Sequence, residues 1–289
     1  MSHIDDLIEL IQTTNEIYLL NVNPERHVKS VFIQIDDLCE LTLKSWLIKD
    51  SGDYQQQCLI ELKNAKLIIT KKHQNAFKEY CKNIDNGLAT FKNDLEIESK
   101  ASQIEKLDKI LTDYPYLEDW SADISAGKFK SFSQIVEEVK NRHLLPANQL
   151  IHSILHRIKD RRNTRNSFFH DPNSLPLTIN SKQCLNALCD LYEIINLLFP
   201  NALIDLSNQL LRVQIATIRA LRDCADDEQK DSKYKDILNN WKHNDVNKNL
   251  KVSGEIKVKS SNRAYQYCII HLYADQFYSA LLNAGLISE

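Results

Sequence analysis

Residues 165 to 170 read Arg-Asn-Ser-Phe-Phe-His: a permanently charged guanidinium, a side-chain amide directly after it, and an imidazole five positions beyond the arginine. These groups suit cleavage of RNA without a metal. A 2′-hydroxyl can attack its adjacent phosphate if a base removes its proton and a cation stabilises the added charge, leaving a 2′,3′-cyclic phosphate and a 5′-hydroxyl. His170, with an ordinary imidazole pKa of about 6.5, can serve as base or acid near neutrality. Arg165 can clamp the phosphoryl oxygens. Asn166 and His170 are four apart, so on one helical face the amide can orient the imidazole or bind phosphate. Arg165 and His170 lie about 140° apart around an ideal helix, so convergence needs the reach of the arginine or a loosened last turn. A plain structural reading exists for each: His170 as a helix-end cap, Asn166 as a surface polar residue, Phe168 and Phe169 as core. His152 and His156 have the i, i+4 spacing of two metal ligands, but the flanking glutamate of H-E-x-x-H is missing and no third ligand is evident. Neither a metal nor a cofactor is expected.

The hexapeptide closes a basic segment. Residues 141 to 170 hold Arg142, Arg157, Lys159, Arg161, Arg162 and Arg165 against the single acid Asp160, a local charge of +5 in a chain of formal net charge −3. One basic element on an acidic body is what a phosphate-binding surface requires, and it nominates Arg157, Arg161 and Arg162 as RNA contacts. The alternative is a solvated face near a helix C-terminus, where cations also favour the dipole.

These residues need a scaffold, and composition narrows its class. Five Gly and six Pro in 289 residues cannot supply the turns of a β-sandwich or the clustered glycines of a dinucleotide fold or phosphate loop. The chain should be all-α. A first helix covers residues 4 to 20, and Asn23-Pro24 suits the N-cap and first position of a second, running to about Lys49 with Val28, Val31, Phe32, Ile35, Leu38, Cys39, Leu43 and Leu47 on its core face. Residues 54 to 113 read as an antiparallel helical hairpin bent at Asp85-Asn86-Gly87, with one long helix as the alternative. An irregular connection over 116 to 131 and a short helix follow. From Ala147 a helix carries the basic stripe until Asp171-Pro172 stops it. Ser181 caps the next helix, which Pro200 closes. Residues 201 to 225 and about 231 to 241 continue as helices, a lysine-bearing loop with a short strand EIKVK follows, and a final helix runs from about Arg263 to Leu286. Seven cysteines without a C-x-x-C pair read as core residues in a reducing compartment. The acidic N-terminus is unlike a signal peptide and no apolar run is long enough to span a bilayer, so a cytoplasmic protein with no membrane partner is expected.

The Arg165-Asn166-Ser167-Phe168-Phe169-His170 segment resembles the R-x4-6-H motif of the HEPN superfamily (higher eukaryotes and prokaryotes nucleotide-binding domain), whose position after the arginine is typically Asn, Asp or His. The resemblance implies a helical bundle and, as in many members, a metal-independent endoribonuclease acting as a toxin or antiviral, abortive-infection effector. It implies Arg165, His170 and Asn166 as the catalytic set and a homodimer whose facing protomers share a composite site, with RNA and an antitoxin or defence-system component as partners. Glu40 and Lys44 on the second helix are similar to an acidic and basic pair found beside the motif helix in many members, and are candidate supporting residues; their plain reading is a surface ion pair. On this view residues 1–200 form a HEPN-like domain with the arm at about 54–113, and 201–289 form a C-terminal helical extension packed on the same body. Some toxin members extend the motif to a tyrosine two residues after the histidine, and Pro172 stands there in this chain. Two other readings remain: a catalytically inactive HEPN-like RNA-binding or scaffold protein, and an unrelated helical interaction module using the 54–113 hairpin.

Overall fold

A computed structural model describes residues 3–20, 24–121, 130–142, 149–170, 179–203, 209–243 and 274–287. The described residues contain helices and no strands. In chain order the helices are α1 (His3–Leu20), α2 (Pro24–Asn64), α3 (Lys71–Lys82), α4 (Ile84–Asp94), α5 (Ala101–Asp113), α6 (Phe132–Asn141), α7 (Gln149–His170), α8 (Ser181–Leu198), α9 (Gln209–Cys224), α10 (Glu228–His243) and α11 (Ala274–Asn283). None is long and apolar enough to cross a membrane. Asn23, the Asp171-Pro172 stop, the EIKVK segment and the start of the expected last helix lie outside the described residues.

The chain forms two compact units, one of Met1–Thr42 with Asn148–Glu289, the other of Leu43–Ala147. Helices α9, α10 and α11 belong to the same unit as α1, α7 and α8, and α9 packs on α1, α8, α10 and α11.

In the 43–147 unit the sequence reading needs two corrections. Helix α2 continues past Lys49 to Asn64, because a lone Gly52 costs a helix only about 1 kcal/mol while Cys58 and Leu62 extend the buried stripe. Residues 54–113 are not a hairpin or one long helix but the end of α2 followed by α3, α4 and α5. The break comes at Asn83, which leaves helical geometry with φ −144° and ψ 60°, and not at Gly87. Gly87 lies inside α4, where a Cβ would come within 3.3 Å of the Tyr80 ring. The glycine therefore permits close approach and is not a turn. Tyr80 in turn stacks on Phe91 with ring centroids 5.0 Å apart, in a core shared with Leu62, Phe77, Cys81 and Leu107.

The other unit is built on α8, whose Leu185, Leu188, Leu191, Ile194, Ile195 and Leu198 are all buried. Its N-cap is Asn180 rather than Ser181: Asn180 Oδ1 accepts from the Gln183 backbone N–H at 2.8 Å, and Gln183 Oε1 accepts from the Asn180 N–H at 2.9 Å. Ser181 Oγ lies 2.7 Å from the Tyr18 hydroxyl of α1. A buried polar contact completes the join, with Tyr192 Oη donating to Asn15 Oδ1 at 2.5 Å.

Scarcity of glycine has a cost at the helix ends. Lys66 and Glu96 both take φ 58°, the left-handed conformation that glycine normally supplies. Each closes a helix with a Schellman-type bond, from the Leu67 N–H to the Leu62 carbonyl at 3.0 Å and from the Ile97 N–H to the Lys92 carbonyl at 3.3 Å. Lys66→Gly and Glu96→Gly should each stabilise the 43–147 unit by about 0.5–1 kcal/mol, since a left-handed non-glycine residue costs roughly 1–2 kcal/mol. Thermal denaturation of the two variants reads this directly, and a lowered midpoint would contradict it.

Candidate functional site

Helix α7 buries Ile151, Ile154, Leu155 and Ile158 at helical spacing, and the next position of that stripe is Arg162. A guanidinium thus stands where an aliphatic side chain would be expected. It is 9% exposed. On α2 the same substitution occurs in the opposite sign: Asp36 follows Phe32 by one turn on the core face and is 2% exposed. Buried charges of this kind persist only when paired, and these two meet, Arg162 Nη1 donating to Asp36 Oδ2 at 2.6 Å. Arg162 also pairs through Nη2 with Glu40 and lies 3.8 Å from Asp37.

The neighbouring arginines are engaged in the same way. Arg165 reaches Asp37 Oδ1 at 3.2 Å and lies 3.7 Å from Asp36 Oδ2. Its Nη1 also donates to Asn166 Oδ1 at 3.4 Å. Arg157 forks onto Asp190 of α8, with Nε 3.0 Å from Oδ2 and Nη2 2.7 Å from Oδ1, and Arg161 reaches the same carboxylate at 2.5 Å. Four guanidinium groups therefore meet four carboxylates. Arg157, Arg161 and Arg162, expected as RNA contacts, tie α7 to α8 and α2 through these carboxylates.

Arg142 does not belong with this stripe. It lies in the 43–147 unit, 1% exposed, donating to Asp50 at 2.6 Å and to Glu138 at 3.1 Å, with its guanidinium 5.0 Å from the centre of the Tyr116 ring.

Of the supporting pair, Glu40 is brought to the motif helix through Arg162. Lys44 sits one turn further along α2, with burial holding its ammonium below the ordinary lysine range. His170 occupies the last turn of α7. Its side chain, like those of Ser167, Phe168 and Phe169, lies outside the described residues. The two described members of the motif, Arg165 and Asn166, are adjacent and partly exposed. Side-chain exposure along the stripe is uneven, 50% at Arg157, 14% at Arg161, 10% at Arg162 and 26% at Arg165.

His156 Nδ1 faces Asp160 at 2.9 Å, and no group of three metal-ligating side chains occurs among the described residues. Burial pushes the Cys39 thiol up to about 12, against the opposing effect of Arg161, so it stays protonated at neutral pH. Cys58, Cys81, Cys184, Cys189 and Cys224 are likewise buried and free, and Cys268 is outside the described residues.

Asp36 Oδ1 has no hydrogen-bond partner, and burial raises this carboxyl above its ordinary 3.8 despite Arg162 and Arg165. A raised folded-state value means that folding takes up a proton, so stability falls as pH rises from 3.8 through the raised value. The wild-type chain should therefore gain stability relative to Asp36→Asn on acidification from neutral pH towards about pH 4, measured by urea denaturation across pH. A relative loss on acidification would instead make Asp36 a net beneficiary of its ion pairs.

No protein-family model, curated protein or solved structure matches this chain.

Proposed function

We propose that the C-terminal end of α7 carries the active site of a HEPN-like, metal-independent endoribonuclease of the toxin or antiviral-defence type. The observation that best supports this reading is the state of Arg165. It is the last arginine of the stripe, with Asn166 beside it and His170 little more than one turn ahead on the same helix. Its guanidinium is steered by Asp37, itself more than half exposed, through a pair that water screens and that a phosphate could displace.

The chemistry divides among these residues. His170 removes the proton from the 2′-hydroxyl or delivers one to the departing 5′-oxygen. With two such histidines from facing protomers, one can act as base and the other as acid. Arg165 stabilises the phosphorane-like charge, for which it needs no change of protonation. Asn166 bonds to Arg165 and sets its approach. Arg157, Arg161 and Arg162 hold the helix in place through Asp190, Asp36 and Glu40 instead of binding RNA.

The same pairing favours a second reading, a catalytically silent HEPN-like scaffold, because a stripe whose charges are cancelled attracts phosphate weakly. Cleavage assays in excess EDTA separate the two. Arg165→Ala should lower the rate about 10²–10³-fold and His170→Ala about 10²–10⁴-fold relative to the wild type. Equal rates in all three proteins would sink the assignment.

A further inference from the structure

A second site for an anion lies away from the motif. Helices α8 to α11 enclose a cleft of about 570 Å³, within the range of small-molecule sites. Leu203, Ile215, Ala216, Leu286 and Ile287 contribute apolar lining. Over this surface stand Arg212, Arg219 and Arg222 of α9 with Lys230 of α10, against Asp223 as the single lining carboxylate. The three arginines are spaced seven and three residues apart, so they share one face of α9 and extend over about 15 Å.

Arg212 distinguishes the cleft. Among the described arginine side chains it alone faces no carboxylate; its partner is Tyr278, whose hydroxyl accepts from Nη2 at 3.2 Å and whose ring centre lies 4.6 Å from the guanidinium carbon. Every other arginine whose side chain is described is matched by Asp or Glu. The pairs made by Arg219 with Glu193 and by Arg222 with Asp223 are each more than a third exposed, so an incoming anion can compete for them. One more group is unmatched: Asn196 lines the cleft, and its buried Oδ1 receives no hydrogen bond.

From this arrangement we infer that the cleft binds an amino-bearing nucleotide. The apolar lining takes the base, Asn196 Oδ1 accepts from its exocyclic amine, and the phosphate is held on the arginine face of α9, first by Arg212. Asp226 and Asp227, which line an adjoining recess with Arg222 and Lys230, bound the anionic end. A free fatty acid would satisfy the arginines but leave Asn196 without a donor.

Isothermal titration of the full chain with adenosine 5′-monophosphate in EDTA tests this without reference to RNA cleavage. Binding should saturate, adenosine should bind at least about tenfold more weakly, and Arg212→Gln should weaken the nucleotide about tenfold, or 1.4 kcal/mol. Arg212→Gln removes a hydrogen bond and a ring contact to Tyr278 but no ion pair with a described residue, so its melting temperature should stay within a few degrees of the wild type, and Tyr278→Phe, which keeps the ring, should still bind the nucleotide. Arg165→Ala should bind the nucleotide as the wild type does. The inference is overturned if the nucleotide fails to saturate, if both Arg212→Gln and Arg222→Gln bind normally, if decanoate binds where the nucleotide does not, or if Arg165→Ala is the variant that loses binding.

Discussion

Arg162 and Asp36 occupy positions where their helices otherwise place aliphatic side chains, and each is the reason the other can be buried. Removing one member of such a pair typically costs about 3–5 kcal/mol, because the survivor is left in a poorly solvated site with no counter-ion. The directional pairs from Arg162 to Asp36 and Glu40, and from Arg157 and Arg161 to Asp190, fix both rotation and register. The position of Arg165 at the rim of this array depends on that fixing.

This arrangement changes what the basic stripe is for. A run of arginines in sequence suggests a surface for phosphate, yet here the inner members are spent on carboxylates within the fold. Under the proposed function the stripe is divided: Arg157, Arg161 and Arg162 position the helix, and Arg165, the last before His170, is presented to a scissile phosphate. Such a division keeps catalytic groups on a rigid element, which chemistry depending on positioning requires. Under the same proposal, RNA affinity comes from few contacts per chain.

The all-helical class was legible from the shortage of glycine and proline, and α7 was legible because its apolar period and basic stripe are both local. The ion-pair partners were not, since Asp36 and Arg162 are 126 residues apart and a running charge count sees only neighbours. Two signals pointed to them all the same. Arg162 falls on the Ile151–Ile158 core stripe, and Asp190 falls between Leu188-Cys189 and Leu191-Tyr192 in the mostly apolar run CLNALCDLYEIINLLF. A charge at a core position calls for an opposite charge elsewhere. The end of α2 and the role of Gly87 were misread for a related reason: Gly and Asp-Asn-Gly are turn residues by propensity, but tertiary burial of Cys58, Leu62 and Tyr80 overrode that preference.

The central claim, transesterification by Arg165 and His170, is tested most directly by the chemistry of the RNA ends. Incubation of a defined single-stranded RNA with the protein in EDTA, followed by mass spectrometry of the fragments, should give 2′,3′-cyclic phosphate and 5′-hydroxyl termini. Fragments carrying 5′-phosphate and 3′-hydroxyl ends, or cleavage that requires an added divalent cation, would contradict the account.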